Sequence, residues 1–139
     1  MKKQSFITIL LIVLMSMVGT NSFAHDIAVA NSDGVTIYYV WTNNNSELAV
    51  SYRGDTPSNY SNEYSGDVSI PNSVNYNGNY YSVTSIAQSA FEECTDLTII
   101  NISSNVKSLE QRAFYGCSSL KYANIPEGVT TIGLRAFSK

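Results

Sequence analysis

Residues 90–112 and 113–135 align without a gap at a spacing of 23, and this repeat constrains the fold more than any other feature of the chain. Eight of the 23 positions are identical: Ala90, Phe91, Cys94, Leu97, Asn101, Ile102, Val106 and Arg112 recur as Ala113, Phe114, Cys117, Leu120, Asn124, Ile125, Val129 and Arg135. Leu109 pairs with Ile132, and the matches concentrate at apolar positions. A further unit opens at Ala136 and Phe137, so Phe91, Phe114 and Phe137 belong to one ladder. A unit this short cannot bury an apolar face alone, whereas stacked copies share a continuous core.

The unit has its own logic. LTIINISSN, Leu97 to Asn105, fits the L-x-x-L-x-L-x-x-N pattern of leucine-rich repeats, with Ile100 and Ile102 as second and third aliphatics. The second copy, LKYANIPEG, places Ala123, Ile125 and Gly128 at the corresponding sites. Ile100 and Ile102 are two apart and face one way on a strand. Asn105 and Gly128 suit a turn, and Pro126 helps to end the strand. The segment through Ala113 and Phe114 must then return the chain, as irregular coil or as a short helix. VSIPNSV (68–74) and VTSIAQSAF (83–91) form a divergent earlier copy with nine extra residues. These include VNYNGNYY, whose Asn77-Gly78 pair between aromatics signals a type I′ hairpin.

SIPNSV, VTSIAQSAF, AFYGCSSL and IPEGVTTIG resemble the BspA-like leucine-rich repeats of bacterial surface and secreted proteins, over about residues 66–139. The resemblance implies a mainly β fold: a short solenoid of 23-residue coils with a role in adhesion or host-protein binding. The expected organisation is an N-terminal β cap over 25–66 and a first coil with hairpin insert over 67–89. Repeats follow over 90–112 and 113–135, with an incomplete one at 136–139. Strands are expected at Gly34–Thr42 and Glu47–Gly54, and a polar loop at Asp55–Gly66.

Residues 1–24 have a different character. Lys2 and Lys3 precede an apolar run from Phe6 to Val18, and Ser22 and Ala24 sit at −3 and −1 of a cleavage site. This is the pattern of a secretory signal peptide, and the run is shorter than the roughly 20 residues of a spanning helix. The expected location is therefore secreted or cell-surface, with the periplasm as an alternative. Cleavage before His25 leaves six basic residues against eleven acidic ones, a net charge of −5. Without a basic cluster, nucleic acid is an unsuitable partner.

Catalytic chemistry finds little support. His25 is the only histidine, so a Ser–His or Cys–His pair must use it, and it is expected in a frayed terminus. Copper held by an N-terminal His25 would want a second histidine. Glu92, Glu93 and Asp96 cluster, but Tyr115, Gly116 and Ser119 replace them one repeat later, as solvated turn residues would allow. No phosphate loop or zinc spacing occurs, so no catalytic residue, metal or cofactor is assigned. Cys94 and Cys117 share a repeat position. Parallel side chains keep their Cβ atoms near the strand spacing of about 4.8 Å, wider than the roughly 3.8 Å of a disulfide, which favours free core thiols.

Eight of the ten tyrosines lie between Tyr38 and Tyr81, with Trp41 among them. Tyr and Trp offer large contact area at low entropic cost, so Tyr38, Trp41, Tyr76, Tyr80 and Tyr81 are the expected contact surface. The expected activity is protein binding or adhesion, toward a host or bacterial surface protein. Two alternatives stay open: a carbohydrate-binding accessory protein, and a truncated piece of a longer surface protein without independent function. Phe91, Phe114, Leu97, Ile100, Ile102 and Leu120 are expected to be buried. The C-terminal coil, with Ile125 and Ile132, is expected to fray over 120–139 or to self-associate through its open edge.

Overall fold

A computed structural model describes residues 25–57 and 62–139, and the expected signal peptide at 1–24 lies outside them. Ten strands and no α-helix occur among the described residues. They are β1 (Ile27–Ala30), β2 (Thr36–Thr42), β3 (Glu47–Ser51), β4 (Gly66–Ser69), β5 (Ser73–Tyr76), β6 (Asn79–Ile86), β7 (Leu97–Asn101), β8 (Ser108–Leu109), β9 (Tyr122–Asn124) and β10 (Thr131–Ile132). Strands β4, β7 and β9 form one parallel sheet. The other sheet runs β1-β2-β3-β6-β8-β10, with β5 paired to β6.

Each repeat contributes one strand to each sheet, and the core lies between them. Val68, Ile100 and Ala123 are in register across the smaller sheet, and Ile86, Leu109 and Ile132 across the larger. The first two residues of each row are fully buried. Strands β1, β2 and β3 form an antiparallel meander, and β3 joins the coils by parallel pairing with β6. Leu48 pairs with Val83 but Ala49 with Ser85, so Thr84 is an extra residue, a bulge, in β6. The β5–β6 hairpin turns at Asn77 and Gly78, both with positive φ, as a type I′ turn requires.

The return segments resolve the choice between coil and helix. Successive N–H groups alternate between two kinds of partner. Ser89, Phe91 and Glu93 donate to Gln111, Ala113 and Tyr115 of the next coil, at 3.1, 2.8 and 2.7 Å. Ala90, Glu92 and Cys94 donate to the carbonyls three residues back. Arg112, Phe114 and Gly116 repeat the inter-coil pattern toward Leu134, Ala136 and Ser138. A helix would take every N–H into i→i−4 bonds and leave the coils unlinked here. The path needs left-handed backbone at Ser89, Arg112 and Arg135, with φ of 61°, 58° and 56°. Such a conformation costs a non-glycine residue about 1–2 kcal/mol, and the inter-coil hydrogen bonds offset it. At Gly133 two coils approach so closely that a Cβ would collide with the Gln111 backbone nitrogen.

The aromatic ladder is continuous. Phe91 and Phe114 stack at 4.9 Å with 12° between planes, and Phe114 and Phe137 at 4.9 Å with 6°. Leu97, Ile100 and Ile102 are buried as expected, but Leu120 is only partly so. Leu97 lies between neighbouring coils on both sides, whereas Leu120 packs against a described coil on one side. The same difference leaves Ile132 55% exposed while its counterpart Leu109 is fully buried.

Cys94 and Cys117 are free, buried thiols, and Cys117 Sγ donates to the Phe91 carbonyl at 3.0 Å. Burial pushes Cys94 up to about 11 and Cys117 to about 12, so both stay protonated and unreactive at neutral pH. A reducing agent is accordingly expected to leave the thermal midpoint unchanged; a fall of many degrees in a calorimetric scan would reveal a structural disulfide instead.

Candidate functional site

The five aromatic residues expected to form one surface are divided among three environments. Side chains alternate between faces along a strand, so Trp41 follows the core-facing Ile37 and Tyr39, while Tyr38 points the other way. Trp41 meets Tyr81 edge to face at 4.7 Å and Tyr76 at 6.1 Å. All three are partly buried against the core, so they close the end of the β2–β6 region, a packing role. Tyr38 sits between His25 at 4.7 Å and Tyr64 at 6.2 Å. Tyr80 stands on the opposite face of β6 from Tyr81 and is 75% exposed.

His25 lies against the cap strands. Its ring packs on Tyr38, and its pKa is lowered, chiefly by burial and against the opposing hydrogen bond to the Tyr52 backbone. Glu92 does not serve as a solvated turn residue: it pairs with the Arg112 guanidinium at 2.6 Å, and that guanidinium lies 4.4 Å over the Tyr115 ring. Among the described residues, no group of three or more His, Cys, Asp or Glu side chains is arranged to hold a metal.

The segment expected as a polar loop supplies a core residue, Tyr64. Its ring meets Phe91 at 4.5 Å and extends the phenylalanine ladder by one member. Its hydroxyl donates to the Ser51 carbonyl at 2.9 Å and accepts from the Tyr38 N–H at 3.1 Å. Nearby, Asn62 Oδ1 accepts from Thr95 Oγ1 and from the Asp96 N–H. Glu63 accepts from the Arg53 N–H with both oxygens. Burial pushes its carboxyl up to about 7, although the Arg53 hydrogen bond and charge act the other way.

Two exposed faces carry organised side chains that the sequence reading did not single out. On the smaller sheet, the inward row Val68, Ile100 and Ala123 leaves two outward rows in register: Asp67, Ile99 and Tyr122, then Ser69, Asn101 and Asn124. Tyr122 is 58% exposed, and Thr98 Oγ1 donates to Asp67 at 2.9 Å. On the larger sheet, Ser85, Ser108 and Thr131 form an outward row beside the interior row Ile86, Leu109 and Ile132. The signal for it was present: Thr84-Ser85, Lys107-Ser108 and Thr130-Thr131 recur at the 23-residue period.

Parallel strands stacked coil on coil, with inter-coil bonds in strand and return segment alike, define a repeat solenoid. The chain belongs to the BspA-type leucine-rich repeat family: residues 59–139 match the family described as BspA type Leucine rich repeat region (6 copies). A leucine-rich repeat protein from Bacteroides ovatus is similar at 32% identity and a TM-score of 0.66, over 81% of this chain and 27% of that one. The T. pallidum Leucine Rich Repeat protein has the same fold at 23% identity and a TM-score of 0.62, over 80% of this chain and 46% of its own. A leucine-rich repeat protein from Bacteroides capillosus, at 24% identity and a TM-score of 0.60, is matched over 81% of this chain and 75% of its own. The chain thus spans less than half of the first two proteins. No curated protein matches it.

Proposed function

We propose that this chain is exported and acts as a binding module that recognises a protein surface, rather than as an enzyme. The observation that carries the reading is the outward ladder of the β4-β7-β9 sheet. Parallel strands in register hold Asp67, Ile99, Tyr122 and Asn101 on a rigid face, with an aromatic group, an aliphatic group and hydrogen-bonding groups side by side. Such a mixture suits a protein interface, where an aromatic anchor is surrounded by polar contacts. The pattern of residues 1–24 and the similarity to a leucine-rich cell surface protein from Faecalibacterium prausnitzii support a surface or secreted location.

The test is expression of the full chain in a bacterial host. The exported species should have a mass that begins at His25; one intact from Met1 would contradict export with cleavage. That species is then used to capture proteins from bacterial and host surface fractions, beside the Tyr122→Ala and Ile99→Glu variants. The expected result is a partner retained by the parent and by Tyr80→Ala but lost, by at least tenfold in affinity, with both ladder variants. Capture indifferent to both ladder variants, or no capture at all, overturns the reading.

A further inference from the structure

We infer that a second, separate site lies on the outer face of the larger sheet and takes a neutral oligosaccharide. A cleft of about 590 Å³ opens there where β2, β3, β6 and β8 converge. Seven of its nine lining residues are Ser, Thr or Asn, and the other two are Glu47 and Lys107. One acid faces one base, so the cleft carries no net formal charge and has nothing to select a polyanion. It also lacks large aliphatic side chains that would seat the anchor residues of a peptide.

The lining does suit sugar hydroxyls, each of which donates and accepts. Serine and threonine hydroxyls can do both, amide groups offer fixed donors and acceptors, and an ionised carboxylate accepts up to about four hydrogen bonds. Glu47 accepts one from Thr84 Oγ1 at 3.1 Å, which fixes the carboxylate and leaves it acceptor capacity. The bulge at Thr84 turns two successive polar residues, Thr84 and Ser85, into the same cleft.

An aromatic platform stands beside this lining. Tyr80 precedes the cleft residue Ser82 by two on β6, within a stretch of regular pairing to β5. It therefore projects from the same face, about 7 Å away along the strand. Its ring is 75% exposed and has no packing role comparable to that of Tyr81. Exposed, it can take the C–H face of one pyranose at the rim of the cleft, while the next sugar units turn their hydroxyls toward Ser82 and Glu47 and then toward Ser85 and Ser108. Few apolar contacts and a handful of oriented polar groups give a site of modest affinity, in the millimolar range or somewhat tighter.

The experiment is isothermal titration of the full chain with neutral hexasaccharides of the β-glucan, α-glucan, xylan and mannan types, beside an anionic hexasaccharide and a neutral peptide of similar length. Binding of at least one neutral hexasaccharide is expected, weakened at least tenfold by Tyr80→Ala and at least threefold by Glu47→Gln. Tyr122→Ala, on the other sheet, should leave it unchanged, which separates this site from the protein-binding face. Tyr80 is exposed, so its truncation leaves the fold intact. The inference is overturned if no neutral hexasaccharide binds at millimolar concentration, if Tyr80→Ala binds as the parent does, or if the anionic sugar or the peptide is preferred.

Discussion

Replacing Phe114 by alanine should lower the free energy of unfolding by about 3–5 kcal/mol, the range for truncating a well-packed buried phenylalanine. The ring is stacked on Phe91 on one side and Phe137 on the other, both at 4.9 Å. Truncation removes two ring contacts together with the burial, and the void has little room to collapse. The backbone on both sides is fixed by inter-coil bonds, with the Phe114 N–H itself donating to Ala136 at 2.7 Å. Chemical denaturation followed by circular dichroism gives the value. A loss within about 0.5 kcal/mol would mean that the ladder contributes nothing to holding the coils together.

A comparable loss is expected at Tyr64, and here two substitutions separate the causes. Tyr64→Ala removes the buried ring against Phe91 and should cost about 3–5 kcal/mol. Tyr64→Phe keeps the ring but removes the hydroxyl's two hydrogen bonds, to the Ser51 carbonyl and from the Tyr38 N–H, each of which belongs to the cap strands. At about 0.5–1.5 kcal/mol for each hydrogen bond lost, the variant should be destabilised by about 1–3 kcal/mol. The phenylalanine variant should also raise amide exchange at Tyr38 while exchange at Ile100 keeps its parent protection. Equal stability of the parent and Tyr64→Phe would show that the hydroxyl bridge does not join cap to coils.

The coil architecture was legible because it is written twice. Identity at Phe91/Phe114, Leu97/Leu120 and Ile102/Ile125 exposes the period, and alternation around Ile100 and Ile102 exposes the strand. Asn77-Gly78 announced its turn because few other residue pairs accept two positive φ angles in succession. The return segment was ambiguous, since turns and a short helix share the same local sequence preferences. Only the neighbouring coil, offering the carbonyls of Gln111, Ala113 and Tyr115, decides between them. Tyr64 was hidden for a related reason: it stands in a polar, unrepeated stretch, and its partners Phe91, Ser51 and Tyr38 are distant in sequence.

The candidate surfaces were harder to read. Aromatic density drew the eye to Trp41, Tyr76 and Tyr81, yet composition does not say which face of a strand meets the core. Pairing across β2, β3 and β6 turns those three inward and leaves Tyr80 outside. The polar cleft is assembled from short, common residues such as Ser82, Ser85 and Ser108. Nothing in their chemistry marks them until the sheet places them side by side.

The alternating bonds of the return segments bear on how such a gene can change. Ser89, Phe91 and Glu93 face Gln111, Ala113 and Tyr115 in the same way that Arg112, Phe114 and Gly116 face Leu134, Ala136 and Ser138. Unequal recombination that duplicates or removes one whole repeat therefore joins two surfaces that already fit, and every retained contact survives. Inserting a single residue into β7 has the opposite result, since it turns the inward-facing side chains beyond that point toward solvent. Selection on such a lineage can vary length in units of a coil while the content of each coil stays nearly fixed. The length of such a solenoid then becomes a heritable quantity adjusted by copy number, without the invention of any new fold.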